Sequence, residues 1–167
     1  KPTSKYNYHD AFAPNFYTKN GTDTHSASGQ PGAKYWQNKA DYQLLATLDE
    51  KKNEIIGSEI VTYTNNSPDK ISFLWMNVDQ NLFKNNSRGK ALVPLTGNRF
   101  GDKGQIFDGG HKIKSVKVIA NQNGKAIEKE AKFEITDTRM QVFLPQELNP
   151  NGESVKLKIE FSFISPD

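Results

Sequence analysis

Apolar and polar residues alternate most regularly near the end of the chain, where Val155, Leu157, Ile159, Phe161 and Phe163 stand against Lys156, Lys158, Glu160 and Ser162. A period of two over this length predicts a strand with one buried and one wet face. Tyr42, Leu44, Ala46 and Leu48 repeat the pattern against Asp41, Gln43, Leu45 and Thr47, which predicts a first strand. Between these lies the stretch Glu54 to Val78. Ile55, Ile56, Ile60, Val61, Thr62 and Tyr63 form one β-prone arm and Ile71, Phe73 and Trp75 another. Asn65-Asn66-Ser67-Pro68-Asp69 separates the arms, and its proline and short polar side chains predict a tight turn closing a hairpin. The second arm is apolar at nearly every position, so it is expected to be covered on both faces, inside a sheet. Further strands are expected at Lys112 to Ala120, Ala131 to Thr136 and Met140 to Leu144. Turn chemistry bounds them: Asn121-Gln122-Asn123-Gly124, Asp137-Thr138 and Asn149-Pro150-Asn151-Gly152. About seven strands, short turns and no amphipathic helix predict an all-β, antiparallel β-sandwich.

Two stretches break the pattern and set the domain organisation. Residues 1–33 are rich in Asn, Thr, Ser, Gly and Lys with scattered aromatics, and read as an irregular amino-terminal arm before a β-sandwich domain at 34–167. Residues 79–111 form a long irregular loop whose only apolar anchor is Ala91-Leu92-Val93-Pro94-Leu95 and whose glycines predict mobility. A connection longer than about 15 residues is unusual inside a compact domain and points to a functional or mobile segment.

Composition narrows the function classes. A chain of 167 residues with ten Phe, six Tyr and two Trp can bury an aromatic core although only 35% of its residues are hydrophobic. Lys and Arg number 22 against 19 Asp and Glu, a net charge of +3 spread along alternate strand positions such as Lys112, Lys114, Lys117, Lys156 and Lys158. This is a solvated-face pattern, without the basic stripe of a nucleic-acid binder. The absence of cysteine excludes disulfides, thiolate metal sites and cysteine nucleophiles, and leaves the compartment open, with a periplasmic or extracellular one favoured. No apolar run reaches the roughly 20 residues of a membrane span, and Lys1-Pro2-Thr3-Ser4 has no signal-peptide anatomy.

The candidate chemistry is sparse. His9, His25 and His111 are far apart and form no ligand pair. Asp102 and Asp108, with carbonyls near Gly104, fit no EF-hand spacing, and Gly97 to Gly104 lacks the ending of a phosphate-binding loop. Tyr35, Trp36, Trp75 and Phe107 raise a carbohydrate platform, against which Trp75 reads as core. Asn20-Gly21-Thr22, Asn65-Asn66-Ser67 and Asn85-Asn86-Ser87 match the glycosylation acceptor pattern, as an Asn-rich chain will by chance. No residue is assigned to catalysis, to a cofactor or to a metal.

One resemblance adds to this reading. Tyr35-Trp36-Gln37, Asp41-Tyr42 leading to Leu48-Asp49, Ile56-Gly57-Ser58-Glu59, Tyr63-Thr64-Asn65-Asn66-Ser67-Pro68-Asp69, Leu74-Trp75 and Asp79-Gln80-Asn81-Leu82-Phe83 resemble the amino-terminal β domain of M1 family zinc metallopeptidases. That is the aminopeptidase N and leukotriene A4 hydrolase group, in its Bacteroidetes-type bacterial branch. The run from Lys114 through Leu144-Pro145 to Phe161-Ser162-Phe163 extends the likeness over most of 34–167. It implies a saddle-like β domain, truncated from a longer chain, that docks on a zinc-bearing catalytic domain of the same parent chain and shapes its cleft. Peptide substrate is then met only in the full-length enzyme. The His-Glu-x-x-His zinc motif and the Gly-x-Met-x-Asn motif of that family do not occur here, so this segment is expected to be non-catalytic and to hold no zinc itself. A stand-alone sandwich binding carbohydrate or protein at a cell surface is the alternative. On the first reading, the strand ending at Ile164 is expected to leave a sheet edge or face uncovered.

Overall fold

The chain leaves Asn65 for a different sheet instead of folding back on itself. In the structure, a computed structural model describing residues 21–88, 108–122 and 125–165, β2 (Glu54–Asn65) and β3 (Ile71–Asn77) belong to separate sheets. The expected hairpin is therefore an arch. Its cause is Asn65, whose buried amide donates to the carbonyls of Asp69 at 2.8 Å, Asn149 at 3.1 Å and Leu148 at 3.4 Å. Its Oδ1 accepts from the Ser67 N–H and hydroxyl. These bonds hold the turn against the end of β7 (Arg139–Leu148) and steer the next residues into the sheet that β7 occupies. Asn65 is fully buried, so the acceptor pattern around it is a structural coincidence with no room for a glycan.

The remaining strands are β1 (Lys39–Asp49), β4 (Lys112–Gln122), β5 (Lys125–Glu130), β6 (Phe133–Thr136) and β8 (Glu153–Ile164). All pairings are antiparallel, in a five-stranded sheet of order β1-β2-β8-β4-β5 and a three-stranded sheet of order β3-β7-β6. This is an antiparallel β-sandwich. Turns close where Asn53, Asp137, Asn151 and Gly152 take positive φ, a conformation that Asn, Asp and Gly tolerate best. β5 carries Lys125, Glu128, Lys129 and Glu130 among its six residues and so has no apolar face by which alternation would reveal it.

The core lies where the small sheet covers the middle of the large one. Val61, Val116, Leu157 and Ile159 meet Leu74, Met140 and Val142, with Val78 and Ala131 at the margin, all nearly inaccessible. Burying side chains of this size stabilises by roughly 1.5–3 kcal/mol each. The alternation read in the last strand is present, with Leu157 and Ile159 buried. β8 is nevertheless central, paired with β2 on one side and β4 on the other, and the edge expected there is filled. The uncovered flank is β1, where Tyr42, Leu44 and Leu48 continue the core-facing side of β2 beyond the reach of the small sheet.

Lys1–Gln37 and Asn38–Asp167 are separate compact units. Within the described part of the first, an isolated bridge joins His25 and Pro31, Lys34 pairs with Asp23 at 2.6 Å, and His25 meets Tyr35 edge to face. The long irregular segment begins with a 3-10 helix, Asp79–Phe83. Its two ends are tied together: the Gly109 N–H donates to Phe83 O at 3.2 Å, the Asn85 N–H to Asp108 Oδ1 at 3.0 Å and the His111 N–H to Asn81 Oδ1 at 2.9 Å. Asp102, Phe107 and most of the glycine-rich run, with the mobility expected of it, lie outside the described residues.

Candidate docking site

β3 is buried at Leu74 alone, with Ile71 and Met76 half-buried, so it is not covered on both faces. Leu74 is packed inward at 7% exposure, whereas Trp75 is 56% and Phe73 40% exposed. Trp75 is thus a surface residue, against the core position expected for it. The reason is that β3 is an edge strand of the small sheet, and nothing among the described residues covers that sheet's outer side. Phe73 and Trp75 meet edge to face at 6.2 Å. Across the ladder, Phe73 stands opposite Phe143, Trp75 opposite Gln141 and Asn77 opposite Arg139, which places all six on one face. Lys132 Nζ lies 5.1 Å from the centre of the Phe143 ring and 2.9 Å from Glu134. The result is a patch of three aromatic rings bordered by amide, guanidinium, ammonium and carboxylate groups. Aromatic anchors within a polar rim are the composition of protein interface centres, and exposed rings also stack on sugar faces.

A second feature is a hollow of about 120 Å³ at the margin between the sheets, lined by Glu59, His111, Met76, Met140, Ile159 and Phe161 among others. The His111 ring is held edge-on by Phe161 at 5.6 Å and Phe163 at 5.2 Å, and its Nδ1 is buried without a hydrogen-bond partner. Burial holds its imidazole below the usual range, with the Asp79 charge opposing and Lys84 adding to the effect. Glu59 shares the core-facing side with Val61 and Ile159, and burial pushes its carboxyl up. Both groups are thereby driven toward their neutral forms, and neither sits in a group of three or more His, Asp or Glu able to hold a metal among the described residues.

Of the residues singled out in the sequence, His25 meets Tyr35 and Asp108 meets Asn85, and neither pair forms a reactive cluster. His25 belongs to the first unit and His111 to the sandwich, while His9 lies outside the described residues. Asp108 is occupied as a cap for the Asn85 N–H. Lys117 and Lys158 converge on Glu128 at 3.2 and 2.9 Å, so these basic residues form a compensated surface network. No described helix is long and apolar enough to cross a membrane. The aromatic patch was hidden in the sequence because Leu74 and Met76, which face inward, are as apolar as the outward residues between which they fall. The signal available was Asn77, a polar residue two positions beyond Trp75 on the same outward-facing side. Compared with known proteins, the chain matches no family model and is not significantly similar to any curated protein.

Proposed function

We propose that the chain is the non-catalytic amino-terminal domain of an M1-like zinc aminopeptidase, docking on the catalytic domain of the same parent chain and bounding its substrate cleft. The observation that carries this reading is the exposed aromatic face of the small sheet, Phe73, Trp75 and Phe143, on a domain whose own core is complete without it. The framework residues resembling that family supply the identity of the partner. Zinc and the residues that acidify its water belong to the partner domain in this reading.

The test is binding between this chain and the catalytic domain encoded downstream in the parent gene, read by calorimetry. Trp75→Ala and Phe73→Ala are expected to weaken it at least about tenfold, as truncation of interface anchors does, while leaving the melting temperature of the chain within a few degrees. A parent gene without a His-Glu-x-x-His segment, or affinity indifferent to both substitutions, refutes it. The exposure of Trp75 also favours the second reading, a stand-alone module for carbohydrate or protein. That reading requires oligosaccharides to shift the Trp75 indole resonance in the isolated chain.

A further inference from the structure

Among the described residues the two sheets have four edge strands, and three of them carry devices that prevent pairing with another chain. β5 has charges at four of its six positions. β3 is short and its register shifts between Ile71 and Phe73. β6 is only four residues long. β1 has none of these. It runs for 11 residues in unbroken register with β2, contains no proline, and bears no charge between Tyr42 and Leu48. Its side chains are exposed on both faces, with Leu45 at 74% and Leu44 at 63%. Alternate residues of such a strand direct their N–H and C=O groups to the open side.

We infer that β1 is a homodimer interface in which a second copy of this chain adds its own β1 antiparallel, joining two five-stranded sheets into one. A two-fold axis between antiparallel strands keeps each face continuous, so odd positions meet odd and even meet even. One register pairs all eleven residues, the one centred on Leu44. In it Leu44 opposes Leu44 of the second copy, Tyr42 opposes Ala46, and Ala40 opposes Leu48, which doubles the apolar stripe. At both ends Lys39 opposes Asp49. The strand is therefore charge-complementary to its own reverse. Sliding by two residues in one direction sets Asp41 against Asp49, and in the other it removes both ion pairs. Exposed ion pairs of this kind add little strength, so here they select the register.

The strip is about 36 Å long. Two such strips bury on the order of 1,000 Å², near the lower limit of a specific interface, which makes the dimer weak and concentration-dependent. This surface belongs to the five-stranded sheet and is separate from the aromatic face of the small one, so the inference stands without the peptidase reading.

The chain contains no cysteine, which gives a clean test of register. Leu44→Cys places two thiols at the axis, within the span a disulfide bridges. Under mild oxidation it is expected to form a covalent dimer about tenfold faster than Leu45→Cys, whose thiols are offset along the strands. An equimolar mixture of Gln43→Cys and Leu45→Cys should cross-link faster than either protein alone. Sedimentation of the unmodified chain should show a dimer at high concentration, abolished by Leu44→Lys with the melting temperature retained. A strict monomer at millimolar concentration overturns the inference. So does a dimer indifferent to Leu44→Lys, or equal cross-linking at positions 44 and 45.

Discussion

Gly57 lies in the first third of β2, directly opposite Phe161 of β8, and the two make one tightly coupled site. A methyl group built on Gly57 would meet three carbons of the Phe161 ring at 2.4, 2.7 and 2.9 Å. Two neighbouring rings flank the Phe161 side chain. It stacks on Phe163 with centroids 6.4 Å apart and planes 7° from parallel, and His111 presses on it edge-on at 5.6 Å. Gly57→Ala should therefore destabilise the sandwich by overpacking, a cost of about 1–3 kcal/mol. Against this, replacing glycine inside a strand recovers roughly 0.5–1 kcal/mol of backbone entropy, so the net loss is about 1–2 kcal/mol. Phe161→Ala alone should cost about 3 kcal/mol, the low end for a truncated Phe because the ring is only half-buried. With the ring gone, the new methyl enters vacated space, and Gly57→Ala should become stabilising by about 0.5 kcal/mol. The expected coupling is thus about 2 kcal/mol. Urea denaturation of the four proteins, followed by far-UV circular dichroism with the slope held common, measures it. Effects that add to within about 0.5 kcal/mol would refute the packing argument.

Asn65→Ala removes donors from three carbonyls and an acceptor from Ser67, and should lower stability by about 3 kcal/mol, with a corresponding fall in melting temperature. His111, held by burial below its ordinary 6.5, keeps its neutral form in the fold while the unfolded chain takes up a proton. Its contribution is complete above about pH 6.5 and is lost as pH falls below that, a decline that His111→Gln should flatten in urea midpoints measured between about pH 7.5 and 5.5. An NMR titration placing the imidazole at or above 6.5 would contradict this. Glu59, pushed above its ordinary 4.5 by burial, has the opposite sign: its contribution is complete below that value and lost as pH rises through the folded one. Glu59→Gln should therefore raise the urea midpoint at about pH 7.5 and leave it unchanged at about pH 4.

Strand positions were largely legible because half-buried antiparallel strands write their faces into the sequence with period two, as Val155 to Phe163 does. Sheet membership was not. Asn65 to Asp69 has the same turn residues whether the chain doubles back or crosses to another layer, and the difference lies in long-range bonds from Asn65 to Leu148 and Asn149. The run Ile71 to Val78 suggested burial on both sides, yet Phe73 and Trp75 are surface residues, since hydrophobicity does not distinguish a core face from a docking face. β5 escaped notice because its charges erase periodicity. The site was least legible: Phe73, Trp75 and Phe143 become neighbours only through the β3–β7 register.

The place of β8 in the sheet also constrains how the protein comes into being. β2 and β4 do not touch as neighbours; each is joined to the other only through Glu153–Ile164, and Glu54 at one end of β2 waits for Ile164, about a hundred residues later. While the ribosome is still producing the residues before β8, the β1–β2 hairpin and the β4–β5 hairpin are two separate half-sheets, each with an open inner edge. The large sheet then closes in a single late event, and contact order this high makes that event slow. A nascent chain stalled before Glu153 should accordingly be held by chaperones or digested by proteases, whereas one stalled beyond Ile164 and clear of the exit tunnel should resist both. β8 thus has two tasks: Leu157 and Ile159 pack in the finished core, and its arrival joins the two waiting hairpins.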